Sequence, residues 1–317
     1  MNAPDQRSRF QELTNQLGEW RVVEPTAAVR VSRLVQRVFD DGLYRIGIRG
    51  ATTVAKAACR VLSNDAAVVV NGVGARFSFP AWDSYYGPFF YRGLHYEPEI
   101  TRLLAAHAAN PSAALLDCGA NYGYWSVLAR QVLGGSIVAV ELNAHTYSWL
   151  LTNAEGVERP IDTLHAAIWD VDGIEMTVLN HGPNQADSAE VAAATQPGSS
   201  AVRSRSIDSI VSEFRLPAKD LLVKVDCEGA EVRALAGAAD TAAQHACFVL
   251  EDHGMDRDCL VSRRLFELDF RVATFTDGRW QETFTLAAVQ AMKTDPDHGY
   301  NVLAWRGDLQ PALLAAF

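Results

Sequence analysis

The first group of residues that could bind a ligand follows an apolar run near the middle of the chain. Asp117 ends this run, and Gly119, Asn121 and Gly123 follow it at alternate positions. Glycines in such a turn let the backbone bend tightly and approach a ligand closely. The spacing is neither G-x-G-x-x-G nor a P-loop, which argues against a nicotinamide dinucleotide, and the Asp117 carboxylate favours a ligand with a cationic end.

A second acidic residue, Glu141, ends the next apolar run, 24 residues after Asp117. At about this interval, nucleotide-binding folds place an acid on the ribose hydroxyls. Two acids at successive strand ends therefore predict a nucleoside that carries a cationic amino-acid tail, and S-adenosylmethionine is such a molecule. The same residues are also compatible with an ordinary strand-to-helix turn.

Acids and a histidine follow two later apolar runs. Asp226 and Glu228 come after the first of these runs, and Glu251 and His253 end the second. Because neighbouring parallel strands open on one crevice, we expect these four side chains to lie close together. They could supply a general base or, through Asp226, Glu251 and His253, hold a cation such as Mg²⁺. Each acid could equally cap a helix, and Glu231, just inside a predicted helix, is interpreted as structural.

The elements that carry these residues alternate between short apolar strands and helices. Such alternation predicts right-handed βαβ units and a doubly wound parallel sheet, which binds ligands at the carboxyl ends of its strands. The segment 188–200 interrupts the alternation and is predicted to be a connection. The predicted strands are 113–117, 136–141, 163–167, 221–226 and 248–251, and the predicted helices are 124–132, 144–153, 207–214 and 231–239.

The part of the chain before residue 96 has a different pattern. Its apolar and basic residues predict an amphipathic helix over 27–40, which would dock on its own domain or on a membrane surface or partner. Asn71-Gly72 between β-rich runs predicts a hairpin. The aromatic segment 82–96 would line or cover a pocket, or form a small core. We therefore expect an N-terminal helical, hairpin and aromatic segment, 1–95, and an α/β domain, 96–317.

The composition is that of a folded globular protein. The chain has 317 residues, of which 49% are hydrophobic and 21% charged, and its net charge is −10. The acidic balance disfavours binding to nucleic acid and favours a small-molecule substrate. Scattered cysteines without a C-x-x-C pair, and a sequence without a signal peptide or a long apolar stretch, predict a cytoplasmic location without membrane insertion. A homodimer through the 27–40 helix is compatible with the pattern.

The combined motifs resemble the FkbM family of class I S-adenosylmethionine-dependent methyltransferases over roughly residues 96–306. The two most specific pieces are Asp-x-Gly-Ala-Asn-x-Gly at 117–123 and Lys-x-Asp-x-Glu-Gly-Ala-Glu at 224–231. Shorter matching pieces support them. These are Glu141-Leu142-Asn143, Ala166-Ala167-Ile168-Trp169-Asp170, Ser206-Ile207-Asp208-Ser209-Ile210 and Gly299-Tyr300-Asn301-Val302-Leu303-Ala304.

The resemblance implies a Rossmann-like methyltransferase fold. Its sheet would have seven strands, mostly parallel, with strand six near 270–275 and an antiparallel last strand near 301–306. The cofactor would be S-adenosylmethionine, which the segment after Glu141 and the segment 165–168 would also contact. The residues implied to bind it are Asp117, Gly119, Asn121 and Gly123 at the methionine end, Glu141 at the ribose, and Leu142 and Ala167 at the adenine.

The reaction implied is methyl transfer to a hydroxyl group of a sugar or natural product. Asp226 or His253 would remove the hydroxyl proton, with Glu228 and Glu251 orienting that base or sharing a metal ion. A second hypothesis keeps the cofactor but not the acceptor: the aromatic segment closes the site, and the cofactor cyclises with release of methylthioadenosine. A third hypothesis is a non-catalytic binding protein that retains the fold.

Overall fold

The computed structural model describes most of the α/β part of the chain and shorter pieces before it. The described residues are 12–15, 21–23, 26–36, 67–72, 74–83, 86–87, 89, 96–180, 189–192, 201–296 and 298–317. Among these residues, no helix has both the length and the apolar character needed to cross a membrane.

Fifteen strands are present in the described part of the chain. In chain order they are β1 (Arg21–Val22), β2 (Ala67–Gly72), β3 (Ala75–Pro80), β4 (Ala114–Cys118), β5 (Ile137–Glu141), β6 (Asp162–His165), β7 (Ala167–Ile168), β8 (Glu175–Asn180), β9 (Ala189–Ala192), β10 (Ala201–Arg205), β11 (Leu221–Val225), β12 (Cys247–His253), β13 (Arg271–Thr276), β14 (Arg279–Thr283) and β15 (Gly299–Trp305).

The helices of the described part lie between these strands. They are α1 (Ala27–Gln36), α2 (Pro98–His107), α3 (Tyr124–Val132), α4 (Ala144–Glu155), α5 (Ile207–Glu213), α6 (Glu231–Ala236), α7 (Ala239–Ala243), α8 (Leu260–Glu267) and α9 (Leu286–Met292), with short 3-10 helices at Ala218–Asp220 and Pro311–Ala316.

The main sheet has eight strands in the order β6-β5-β4-β11-β12-β15-β13-β14. The five strands from β6 to β12 are parallel, and β15 runs antiparallel to both of its neighbours. This is the predicted Rossmann-like arrangement with an antiparallel last strand. The fold class predicted from the sequence is therefore confirmed.

Both faces of the main sheet are covered, which explains why its parallel strands are almost continuous apolar runs. Successive side chains of a strand point to opposite faces. Leu115 packs into the cluster that contains residues of α2, α3 and α4. Leu116 packs into the cluster that contains residues of α5 to α9. The helices α2 to α4 therefore cover one face of the sheet and α5 to α9 cover the other, while the parallel strands all end at the same edge.

The predicted strands and helices of the α/β part are present, but one predicted strand and one predicted helix are divided. The segment 163–167 contains most of β6, which belongs to the main sheet, and the start of β7, which belongs to a different sheet. The segment 231–239 forms the end-on pair α6 and α7 with Gly237 between them. A Cβ atom on Gly237 would lie 2.4 Å from the carbonyl oxygen of Trp169, so the chain passes very close to a neighbouring loop there. This close approach, which the hydrophobic spacing does not reveal, ends the first helix.

Two further predictions about strands need correction. The seven predicted strands of the main sheet are joined by an eighth, β14, which pairs with β13 through the turn Asp277-Gly278. Both turn residues have positive φ, 52° and 74°, so Asp-Gly was the available hairpin signal. The segment 188–200, predicted to be a connection, contains β9, which belongs to a separate sheet of order β7-β10-β8-β9.

The predicted hairpin is formed by β2 and β3, but its turn lies further along the chain than predicted. Gly72 pairs with Ala75, so Asn71-Gly72 ends β2 and the turn includes Gly74, whose φ is 76°. The predicted helix over 27–40 is observed as α1, and residues 37–40 lie outside the described residues. Val29 of α1 is buried, whereas Leu34 is 62% exposed. Val31, another apolar residue of the amphipathic pattern, is 41% exposed, so Val31 and Leu34 do not form the buried side of α1.

The hairpin is attached to the α/β part by its buried aromatic side chains and by one amide side chain. Asn153 of α4 accepts a hydrogen bond from Ser78 N and donates to the carbonyl oxygens of Ser78 and Tyr122, all at 2.8 Å. In the aromatic segment, Tyr86 and Tyr96 pack edge to face, and both belong to the main core. Tyr85, Phe90 and Tyr91 of this segment lie outside the described residues.

Candidate active site

A cavity of about 480 Å³ opens at the carboxyl ends of β4, β5, β11 and β12. The chain order of the sheet reverses between β4 and β11, and doubly wound sheets bind ligands at such a point. The volume is that of a small-molecule site. One side, which we call the turn half, is lined by Gly119, Asn121, Glu141, Leu142, Ala166 and Ile168. The other side, which we call the acid half, is lined by Lys224, Asp226, Glu228, Glu251 and His253. Three aromatic side chains also line the cavity, and these are Tyr86, Tyr96 and Trp125.

The structure brings most of the predicted site residues to this cavity. Those that line it are Gly119, Asn121, Glu141, Leu142, Asp226, Glu228, Glu251 and His253. Asp117, Gly123 and Ala167 lie beside the cavity without lining it.

The glycines of the turn are required by the protein itself. A Cβ atom on Gly119 would lie 1.7 Å from the carbonyl oxygen of Asp226, and one on Gly123 would lie 2.5 Å from Leu150 Cδ1. Both glycines also have positive φ, 78° and 87°. These close approaches within the protein require glycine at both positions, whether or not a ligand also approaches the turn. The turn is held against β11 and α4 before any ligand is considered.

Backbone groups hold Glu141 at the centre of the turn half. Its Oε2 accepts a hydrogen bond from Asn121 N at 2.9 Å, and its Oε1 accepts one from Asn143 N at 2.7 Å. Burial raises the pKa of Glu141 to about 7, although these two N–H groups act in the opposite direction. Each carboxylate oxygen retains a further lone pair. The carboxylate is thus fixed in position and able to accept hydrogen bonds from a ligand.

Asp117 lies behind the turn, with its side chain fully buried. Its Oδ2 accepts a hydrogen bond from Ser126 Oγ at 2.7 Å, and its Oδ1 lies 3.9 Å from Lys224 Nζ without a hydrogen-bond partner. Burial raises the pKa of Asp117, against the lowering effect of Lys224 and Ser126. Its role at the methionine end of a ligand therefore stays a prediction, while its contacts connect the turn to the acid half.

The predicted adenine side of the cavity is apolar. Leu142, Ala166 and Ile168 line it, whereas Ala167 points away into a small cluster. The alternation follows from the extended backbone of β7, in which neighbouring side chains face opposite ways. His165 Nε2 lies 2.9 Å from the carbonyl oxygen of Leu142, which fixes the segment after Glu141.

A buried lysine organises the acid half. Lys224 Nζ donates a hydrogen bond to Asp226 Oδ2 at 3.0 Å. Burial alone would raise the pKa of Asp226, but Lys224 and a hydrogen bond with Glu251 lower it, so Asp226 is ionised. Burial and the Asp226 charge raise the pKa of Glu251 to about 11. Glu251 therefore carries a proton at neutral pH and shares it with Asp226.

His253 lies between two carboxyl groups. Its Nε2 is 3.7 Å from Glu231 Oε1, and its Nδ1 is 3.7 Å from Glu251 Oε2. The Glu231 carboxylate raises the pKa of His253, against the effect of burial. Glu231 also accepts hydrogen bonds from the backbone N–H groups of Cys227 and Gly229, so it holds the 227–229 turn, as its structural interpretation predicts, and faces the histidine as well. Glu228 lines the cavity from the same turn, with φ of 50°.

The residues predicted to hold Mg²⁺ do not fit a divalent cation. Glu251 shares a proton with Asp226, and Lys224 already supplies a positive charge next to that pair. Hard cations require several ionised or carbonyl oxygens around one point. Within the described ranges, no group of three or more His, Cys, Asp or Glu residues has the arrangement of a metal site. No step of the reaction is therefore assigned to a metal ion.

Two charged residues of the site had no predicted role. Lys224 stands within the apolar run of β11, and a lysine in a buried strand is itself a signal of a charge partner nearby. Glu97 precedes α2, far from the motifs in sequence, yet it hydrogen-bonds Trp125 of the cavity wall. No spacing in the sequence connects Glu97 with the other acids.

Comparisons with known proteins agree with the sequence motifs. Residues 117–284 match the family model of the methyltransferase FkbM domain. Among solved structures, the chain is similar to a precorrin-6y C5,15-methyltransferase from Geobacter metallireducens (13% identity, 65% of this chain and 88% of that chain, TM-score 0.37). It is also similar to TYW2 of P. horikoshii in complex with MeSAdo (10% identity, 76% and 70%, TM-score 0.35). Both TM-scores are below 0.5, so these similarities do not indicate a shared function. No curated protein sequence matches the chain.

Proposed function

The chain belongs to the FkbM methyltransferase family, whose domain covers more than half of its length, and from this premise we propose that it methylates a hydroxyl group of a small molecule, such as a sugar or natural product. The observation that carries the proposal is that a fixed carboxylate, Glu141, lines the same cavity as Asp226 and His253. Such a transfer needs a group that binds the nucleoside and a group that accepts a proton, and the residues proposed for these two roles share that cavity.

The turn half fits S-adenosylmethionine. Glu141 offers lone pairs to the ribose hydroxyls, and the apolar side chains of Leu142 and Ile168 suit an adenine ring. The turn at Gly119 and Asn121 would receive the methionine end, with Asp117 placed behind it. When bound, the cofactor supplies a methyl group on a positively charged sulfur, which the acidic lining of the cavity favours electrostatically.

The acid half supports removal of a proton from the acceptor. A hydroxyl group must lose its proton as its oxygen forms the new bond to carbon. His253 is suited to accept that proton because the Glu231 carboxylate, with the charges of Glu228 and Asp226, stabilises its protonated form and raises its pKa. Asp226 is a weaker base, since Lys224 stabilises its ionised form, and it would orient the hydroxyl. Glu228 would complete this wall.

The cavity wall also bears on the class of acceptor. Four carboxyl groups line the cavity, and its lysine is already paired with Asp226. Such a lining disfavours phosphorylated or carboxylated acceptors and nucleic acid. A cytoplasmic location and a homodimer remain expectations from the sequence.

Product analysis tests the proposal directly. The protein is incubated with S-adenosylmethionine and a panel of neutral polyols and hydroxylated natural products, and the sulfur product is identified by mass spectrometry. Methyl transfer yields S-adenosylhomocysteine and an acceptor heavier by one CH₂. Methylthioadenosine, formed without an acceptor, would instead support cyclisation of the cofactor. Absence of binding to S-adenosylhomocysteine in calorimetry would contradict both reactions.

A further inference from the structure

A glutamate outside the matched family segment lies directly behind the cavity wall. Glu97 precedes α2 with a left-handed backbone, φ 40° and ψ 71°, and its side chain makes no hydrogen bond to the helix that it precedes. This backbone conformation is unfavourable for a residue with a side chain, so the surrounding contacts must stabilise it. Strained residues of this kind cluster at functional sites.

The Glu97 carboxylate connects two elements of the site. Its Oε2 accepts a hydrogen bond from Trp125 Nε1 at 2.8 Å, and its Oε1 accepts one from Asn301 Nδ2 at 2.9 Å. Trp125 belongs to α3, which follows the glycine turn, and its ring stacks on Tyr96 with 5.6 Å between the centroids. Asn301 belongs to β15, where it is the register partner of Glu251. One carboxylate therefore positions the aromatic wall relative to the acid half.

Glu97 also adds negative charge next to the cavity. It interacts electrostatically with Lys224 and Asp226, and it contributes to the raised pKa of Glu251. Lys224 is surrounded by Asp226, Asp117 and Glu97, so its single positive charge faces three acids. Ionisation of Glu97 makes the cavity more negative without placing a group in contact with the ligand.

We propose that Glu97 is a positioning and specificity-determining residue whose carboxylate fixes the Trp125 indole and whose negative charge favours the sulfonium cofactor over its uncharged thioether product. The inference rests on the proposed binding of S-adenosylmethionine. S-adenosylmethionine and S-adenosylhomocysteine carry the same ammonium and carboxylate groups and differ by the methyl group and the positive charge on sulfur. The negative charge of Glu97 behind the wall attracts the positively charged sulfur, because Coulomb attraction acts across the wall without direct contact.

The charge of Glu97 changes within the physiological range. Burial raises its pKa to about 7, with further raising by Asp226 and Glu99 and lowering by Lys224 and Asn301. The groups that face Glu97 are thus Lys224 of β11, Asp226 directly after it, Glu99 of α2, Glu251 of β12, Asn301 of β15 and the Trp125 indole of α3. Because the carboxyl group is neutral below its pKa and charged above it, preference for the cationic ligand should rise with pH.

Calorimetry on the full chain at pH 6 and pH 8 tests this preference. The probes are S-adenosylhomocysteine and sinefungin, a stable analogue in which an ammonium group replaces the methyl sulfonium. In the wild type, we expect the ratio of the two dissociation constants to shift about fivefold towards sinefungin between these pH values. In Glu97→Gln, most of this shift should disappear, while affinity for S-adenosylhomocysteine stays within about threefold. Equal shifts in both proteins would overturn the proposal.

Glu99→Gln is the matched control. Glu99 accepts a hydrogen bond from the same Asn301 amide, at 2.9 Å, but the contacts of its carboxylate do not include Trp125. Its removal takes away a like charge, so the Glu97 pKa should fall and the pH-dependent preference should persist at a lower midpoint. If Glu99→Gln abolished the preference as completely as Glu97→Gln does, the effect would belong to Asn301 and the proposal would be wrong.

A second measurement requires neither a variant of Glu97 nor a ligand. In protein labelled with ¹⁵N-tryptophan, the indole N–H signal that is missing in Trp125→Phe should shift with pH around a midpoint near 7, because its hydrogen-bond acceptor titrates. A signal that does not move between pH 5 and pH 9 would overturn the proposal even if Glu97→Gln fails to fold. If no nucleoside binds at all, the proposed function fails, while this titration still reports on Glu97.

Discussion

The two halves of the cavity are built in different ways. In the turn half, Glu141 is held by backbone N–H groups of Asn121 and Asn143, and the glycine turn rests on neighbouring backbone. In the acid half, Asp226, Glu251 and His253 are held mainly by other charged side chains. Backbone contacts depend on local conformation, whereas charge contacts depend on protonation. The turn half should therefore respond to changes in shape, and the acid half to changes in charge and pH.

The largest expected effect is on turnover and concerns the acid half. His253→Ala should lower the methyl-transfer rate by about 10²–10⁴-fold, since a general base contributes that much. The wild-type rate should rise with pH through a pKa above 6.5, because the pKa of His253 is raised and its neutral form accepts the proton. Steady-state kinetics with an identified acceptor measures both effects.

Two observations accompany that experiment. Affinity for S-adenosylhomocysteine should change by less than about threefold in His253→Ala, and His245→Ala, which removes an exposed histidine bonded to the Arg306 carbonyl, should keep full activity. If His253→Ala retained activity, we would conclude that Asp226, and not His253, removes the proton.

The next effect is on stability and tests the charge contacts of the acid half. Lys224→Met leaves Asp117 and Asp226 without their buried cation, which should lower the free energy of unfolding by about 3–5 kcal/mol. Denaturant unfolding at pH 7 measures it. The control Lys219→Met replaces an exposed lysine and should change stability by less than about 0.5 kcal/mol. Similar losses in the two variants would mean that the buried charges are not coupled.

A smaller effect is expected from a change of shape in the turn half. Gly119→Ala adds a Cβ atom 1.7 Å from the Asp226 carbonyl oxygen at a φ of 78°. We expect a loss of about 1–3 kcal/mol in stability and a loss of S-adenosylhomocysteine affinity. Gly173→Ala separates the two causes, because Gly173 has a φ of 81° with nothing within 4 Å of its Cβ position. If both variants lose the same stability, the collision contributes nothing.

The last effect concerns protonation of Glu141 and is measured as a change of stability with pH. Its pKa is raised from 4.5 to about 7, so the folded state favours the protonated form. The stability that this contributes is present below pH 4.5 and is lost as the pH rises to 7, by up to about 1.4 kcal/mol per unit of pKa shift. Relative to Glu141→Gln, the wild type should therefore lose unfolding free energy over this range. A difference between the two proteins that stays constant with pH would contradict the raised pKa.

How much of the site could be predicted from sequence differs between the halves. The turn and Glu141 were predicted from residues close together in the chain, and their place at the cavity follows from strand ends alone. The acids directly after β11 and at the end of β12 were also expected to converge. Their protonation states were not, because Glu251 carries a proton only through burial beside Asp226. The Mg²⁺ hypothesis failed for the same reason.

The elements of the fold also differ in how well they could be predicted from the sequence. Parallel strands with continuous apolar runs were recognised because each run is a local pattern. The strand β14 was missed although Asp277-Gly278 is a local hairpin signal, and the division of 231–239 was missed because only the approach of Trp169 to Gly237 explains it. The order of elements could be read along the chain, whereas close contacts between distant loops could not.

The amino-acid sequence by itself determined the βα alternation, the glycine turn and the placement of acids at strand ends, because each depends on residues within a few positions of one another. Only the tertiary structure decided that Lys224 joins Asp117 to Asp226 and that Glu97 reaches Trp125. Those contacts depend on the register of strands that are distant in sequence. They also depend on burial, which sets the charge of each acid and which no short stretch of sequence specifies.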